Sequence, residues 1–133
     1  MRGVLAMAAL LAACGLARGA PEAVQVSTLP CFHGQVRLES VCRAVDASGV
    51  YVECDRQTLR TDFGQAQLIG ADRGLHADEW SCSADQQRLF VRMDNGGSCP
   101  RCEALRVFDA KARRVKDKAA PPPGTTIRVV APH

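Results

Sequence analysis

Six cysteines (Cys31, Cys42, Cys54, Cys82, Cys99 and Cys102) crowd the middle of a 133-residue chain, and a seventh, Cys14, stands apart near its start. An even set in so small a domain is a disulfide framework in an oxidising compartment. In a reducing one it reads instead as metal ligands or reactive thiols. If oxidised, the six form three bridges, with no free thiol after denaturation, and many pairings satisfy the count. Such bridges restrict the unfolded chain and allow a modest core to hold a fold. The compartment therefore decides the fold class, and the N-terminus decides the compartment.

Met1 and Arg2 are followed by an unbroken apolar run from Val4 to Ala13. The run is about half the length a helix needs to cross a bilayer, and a short positive start before it is the pattern of a secretory signal. Leu11-Ala12-Ala13-Cys14 closes the run. These residues resemble the lipobox of bacterial lipoproteins, in which a small residue precedes a cysteine that receives lipid on its sulfur. The resemblance implies lipidation of Cys14, and anchoring by acyl chains on the periplasmic face of the envelope, with the outer membrane as the expected site. The rival is ordinary cleavage near Ala17-Arg18-Gly19, where Arg18 interrupts the small residues. The expected organisation is a signal peptide at 1–13, a tether at 14–25 rich in small residues, and one domain at 26–133.

Seventeen Lys and Arg against 14 Asp and Glu give a net charge of +3, and loss of Arg2 with the leader leaves +2. That is no concentrated basic patch, and Tyr51 and Trp80 are the only Tyr and Trp, so nucleic acid is not an expected partner.

The remaining pattern is strand-like. Val24 and Val26 alternate with polar residues before Pro30 interrupts, and Val36 and Leu38 resume. Val50 to Cys54 is β-branched and aromatic, and Leu59, Thr61 and Phe63 form the cleanest period-2 stretch. Leu68-Ile69, Arg88 to Met93, Leu105 to Phe108 and Thr125 to Val130 complete the set. Turn signals near residues 46, 55, 71, 85, 94 and 110 separate them, including Asp46 to Gly49, Asp55-Arg56-Gln57 and Asp94-Asn95-Gly96-Gly97. The polar stretch 71–79 reads as a surface loop leading to Trp80. This predicts an all-β, disulfide-stabilised antiparallel barrel or sandwich. The competing element is a short helix over 102–118, where Leu105, Phe108, Ala112 and Val115 would make one apolar stripe.

Cys99-Pro100-Arg101-Cys102 is the sharpest chemical motif, because a Cys-x-x-Cys pair at a helix start can be a redox-active dithiol. Its spacing resembles that of thioredoxin-like oxidoreductases. A thioredoxin-like domain needs more strand and helix after its motif than the chain to His133 provides, and the triple proline at 121–123 breaks that stretch. A structural bridge is the expected role, with a periplasmic thiol–disulfide oxidoreductase as the alternative. Cys31 with His33, or Cys99 with Cys102, are only partial zinc sets, and His76 and His133 add no helical ligand pair. No metal, other cofactor or catalytic grouping is expected.

Tyr51-Val52-Glu53-Cys54, Asp55 and the Leu59–Phe63 strand resemble part of the membrane-bound lysozyme inhibitor fold. That resemblance implies a small exported β-barrel that blocks an enzyme with polar loop residues. The expected function is a non-catalytic envelope lipoprotein that binds a protein partner, in its sharpest form an inhibitor of a hydrolase or toxin acting on the envelope. The alternative is a structural or assembly lipoprotein. His76, Asp78, Glu79 and Trp80 are the candidate partner-binding residues, an aromatic flanked by polar groups being a common interface anchor, with a place in the core as the favoured alternative for Trp80 itself.

Overall fold

The computed structural model describes residues 22–48, 52–69, 74–116 and 121–130. The signal peptide, Cys14, most of the tether, Tyr51, Asp72 and His133 lie outside them.

Hydrophobic alternation builds the first sheet. In β2 (Gly34–Ala44), Val36, Leu38, Ser40 and Cys42 are buried while Gln35, Arg37 and Arg43 are exposed. β1 (Ala23–Cys31) lies on one side of β2 and β3 (Val52–Arg60) on the other, with β4 (Gln65–Gln67) beyond, all antiparallel. Residues 23–25, placed in the tether by sequence, already belong to β1. Pro30 does not end β1, because that strand is a sheet edge where a missing N–H costs no ladder bond.

The second sheet runs β8 (Arg114–Val115), β7 (Glu103–Phe108), β6 (Leu89–Asp94), β5 (His76–Cys82) and β9 (Arg128–Val129), again antiparallel. The described part of the 102–118 stretch, residues 102–116, thus holds strands and not a helix: β7 pairs along its whole length with β6, and Asp109 to Arg113 is a turn. Residues 76–79 are strand rather than loop, and Asp55-Arg56-Gln57 is the middle of β3 rather than a turn. Phe63 falls in the turn after β3, and the predicted strand at Leu68-Ile69 lies just past β4.

The sheets pack face to face as a sandwich. No strand pairing joins them among the described residues, so the barrel alternative does not close. Leu29, Val36, Leu38 and Leu59 from the first sheet meet Trp80, Leu89, Val91, Met93 and Phe108 from the second. Each such buried side chain contributes roughly 2 kcal/mol over leaving it in water. Two polar groups also cross the core. Arg106 projects inward and donates to the carbonyl of Leu68 at 2.7 Å. Gln57, 1% exposed, reaches from β3 to the backbone of Ala77 in β5.

All six cysteines of the described domain are bridged, as three disulfides require: Cys31–Cys82, Cys42–Cys54 and Cys99–Cys102. Cys31–Cys82 staples the two sheets together across a sequence separation of 51. Cys42–Cys54 joins neighbouring strands at a register shift, and Cys99–Cys102 closes a local loop between β6 and β7.

Candidate partner-binding site

The predicted residues His76, Asp78, Glu79 and Trp80 all sit on β5, and a β-bulge between Ala77 and Glu79 decides where each points. The bulge lets Ala77 and Trp80 both face the core despite their odd spacing. Trp80 is 2% exposed and is a core residue, so it presents no ring to a partner. Asp78 and Glu79 are left on the outward side, beside Arg92 of β6.

Arg92 organises that face. Its guanidinium donates to Asp94 Oδ2 at 2.8 Å and to Glu103 Oε1 at 2.9 Å. It also pairs with Asp78 at 3.6 Å and Glu79 at 3.4 Å. Register explains the convergence: Glu79, Arg92 and Leu105 form one cross-strand row, and Asp94 and Glu103 lie opposite each other in the next. Four carboxylates around one cation leave the patch net negative on a chain of positive net charge. Burial raises the Asp78 carboxyl above its usual pKa of 3.8, the Arg92 charge opposes this, and Asp94 and Glu79 add to the rise. The outer face of the first sheet has the opposite balance, with Arg37 and Arg60 flanking Glu39.

Beside the acidic patch lies an apolar hollow of about 180 Å³, lined by Glu79, Trp80, Ser81, Phe90, Arg92, Leu105, Pro121 and Ile127. Pro121 and Ile127, which precede β9, form part of its wall. Leu105 is 41% exposed and Ile127 56%, so the hollow is open to solvent. His76 is separated from this hollow; it lines a cleft of about 580 Å³ with Val45, Glu53, Cys54, Asn95 and Cys102.

Cys99 is exposed and Cys102 buried, and the Cys99 N–H is directed at Cys102 Sγ at 3.3 Å. Strand β7 follows the motif directly, so no helix N-terminus is present to stabilise a thiolate there. Cys31 is bonded to Cys82 and is not a thiolate partner for His33. Among the described residues no group of three or more His, Cys, Asp and Glu side chains is arranged to hold a metal ion.

Sequence reasoning found two of the acidic residues but missed Arg92, Asp94 and Glu103. Only the strand register brings them together. The available signal was a strand, 88–93, with an arginine at an outward position between apolar neighbours. No protein-family model, no curated protein and no solved structure matches this chain.

Proposed function

We propose that this chain is a non-catalytic binding lipoprotein of the bacterial envelope. In this reading, lipid on Cys14 holds it to the periplasmic face of the outer membrane. The domain captures a protein partner through the outward face of its five-stranded sheet, and the partner is a hydrolase or toxin that acts on the envelope and is blocked by being bound. The observation carrying the reading is the convergence of Asp78, Glu79, Asp94 and Glu103 on Arg92 at the rim of the Phe90–Leu105–Ile127 hollow. A net negative rim around an apolar depression favours a partner with basic groups surrounding an apolar contact. Three disulfides keep such a face fixed before encounter, which lowers the ordering cost of binding.

The test compares the exported wild-type chain with a Glu79→Lys/Glu103→Lys double variant as bait in an envelope extract. A basic protein held by the wild type and lost by the variant is expected, and its hydrolytic or toxic activity should fall when wild-type domain is added in equimolar amount. Equal capture by both baits rejects this face. Capture without loss of partner activity rejects the inhibitor role. The mass of the mature N-terminus tests the anchor: an unmodified chain starting at Ala20 overturns lipidation.

A further inference from the structure

The four hairpin turns that join β1 to β2, β3 to β4, β5 to β6 and β7 to β8 gather at one end of the sandwich. Four non-glycine residues with positive φ occur among the described residues: Phe32 (56°), His33 (59°), Gln86 (59°) and Ala112 (59°). Every one lies in these turns. Elsewhere the same left-handed conformation is met by Gly74, Gly96 and Gly124, which adopt it without a steric penalty. Among the described residues this strain is thus confined to one end, a distribution associated with functional surfaces.

That end is also interlocked turn by turn. Cys31–Cys82 ties the first turn to the third, and the His33 N–H donates to Gln86 Oε1 at 2.6 Å. The first turn meets the second where Asp62 Oδ2 lies 2.5 Å from where a Cβ on Gly34 would be. The second meets the fourth through Thr61 Oγ1, which donates to the Ala110 carbonyl at 2.5 Å. Gly64 packs so tightly on the Lys111 backbone that an added Cβ would lie 2.1 Å from the carbonyl oxygen.

From this rigid platform Phe63 projects. Its backbone is fixed by the Thr61 N–H to Gly64 carbonyl bond at 2.9 Å and by its own N–H to Thr61 Oγ1 at 3.1 Å. Its ring is 67% exposed and does no work in the core. An aromatic side chain displayed on a preformed loop cluster is the arrangement expected of a binding anchor.

We infer that the hairpin end is a second protein-contact surface, on which Phe63 enters an apolar pocket of the partner. The inference rests on the domain being a protein-capturing module and adds a contact distinct from the acidic sheet face. A protein occupant is favoured over a lipid surface by the charges of the hairpin end. Its turns expose charges of both signs, Asp62, Asp85, Lys111 and Arg113, rather than an apolar and cationic face. The direction of the chain agrees. β1 enters at Ala23 and travels nine residues, roughly 30 Å, before the first hairpin turn, so Phe63 lies at the end remote from the tether.

The test places a benzoylphenylalanine photo-crosslinker at position 63 of the full chain in its own cells, with a second probe at exposed Ala47, between β2 and β3 at the opposite end, as control. A discrete adduct to another protein, formed from position 63 and not from position 47, is expected. The purified adduct partner should then bind Phe63→Ala at least roughly tenfold more weakly than wild type, with the melting temperature unchanged. No adduct, an adduct to lipid or to a second copy of this chain, or wild-type affinity for Phe63→Ala overturns the inference. If Glu79→Lys/Glu103→Lys abolishes binding while Phe63→Ala does not, the acidic face stands and the hairpin surface falls. If no other protein is captured by any form of the chain, the capture reading itself fails.

Discussion

Gln57 in one sheet completes the hydrogen bonding of Ala77 in the other: its Oε1 accepts from the Ala77 N–H at 2.6 Å, and its Nε2 donates to the Ala77 carbonyl at 3.3 Å. Ala77 needs this help because it borders the β5 bulge, where two residues oppose one and the ladder is interrupted. The same Nε2 lies 3.1 Å from Ser40 Oγ, so the buried amide is satisfied by both sheets. Replacing Gln57 by Leu keeps the volume and strands a buried peptide N–H and carbonyl. The expected loss is about 3 kcal/mol. Urea unfolding checks it, with a fall in midpoint and little change in slope.

The three disulfides should not be equal in value. The entropy model gives about 4 kcal/mol for a bridge spanning 51 residues and about 3 kcal/mol for one spanning 12, with less for the local loop. Removing Cys31 and Cys82 together, as paired alanines, should therefore lower stability most. The Cys99/Cys102 pair should lower it least. Chemical denaturation of the three double variants gives the order, and a larger loss at Cys99/Cys102 than at Cys31/Cys82 contradicts it.

The fold class was legible because β2 alternates between buried and outward residues and the cysteines beyond Cys14 are even in number. Individual turns were harder to read, for physical reasons. Asp55-Arg56-Gln57 has turn composition but lies within β3, where the Gln57 amide replaces missing backbone partners in the core. Phe63 continues the period-2 pattern of Leu59 and Thr61, yet Gly64 and Thr61 close a turn there and leave the ring outside. Trp80 and Asp78 are near neighbours in sequence, but the bulge alone sends one inward and leaves the other on the acidic face. A cluster like that around Arg92 depends on register across three strands, which no local pattern encodes.

Asp78 should make the domain less stable as pH rises. Its folded-state pKa is raised by burial, so the folded state holds its proton more tightly than the unfolded chain. The protonated form's contribution is complete below the unfolded value of 3.8 and is lost as pH climbs through the folded value. Asp78→Asn removes the titration. It is expected to raise the melting temperature at pH 7 relative to wild type, with the advantage vanishing below about pH 4. A constant difference at both pH values would show that Asp78 acts through packing alone.

Gly34 and Gly64 provide paired tests of how the hairpin end is locked. A Cβ at Gly34 meets only the Asp62 carboxylate, at 2.5 Å, and that side chain can swing aside. A Cβ at Gly64 meets the Lys111 backbone, with the carbonyl oxygen at 2.1 Å and its carbon at 2.8 Å, and neither can move without shifting the fourth turn. Gly64→Ala is therefore expected to cost about 2–3 kcal/mol, in the range of overpacked cores, and Gly34→Ala well under 1 kcal/mol. Thermal unfolding measures both. Amide exchange adds a local readout: in Gly64→Ala, the Asp109 N–H, which donates to the Arg113 carbonyl at 3.0 Å, should lose protection. In Gly34→Ala that amide should keep its protection, because the contact between Thr61 and Ala110 remains intact. Equal costs for the two alanines would mean that the second and fourth turns are not held together by backbone contact.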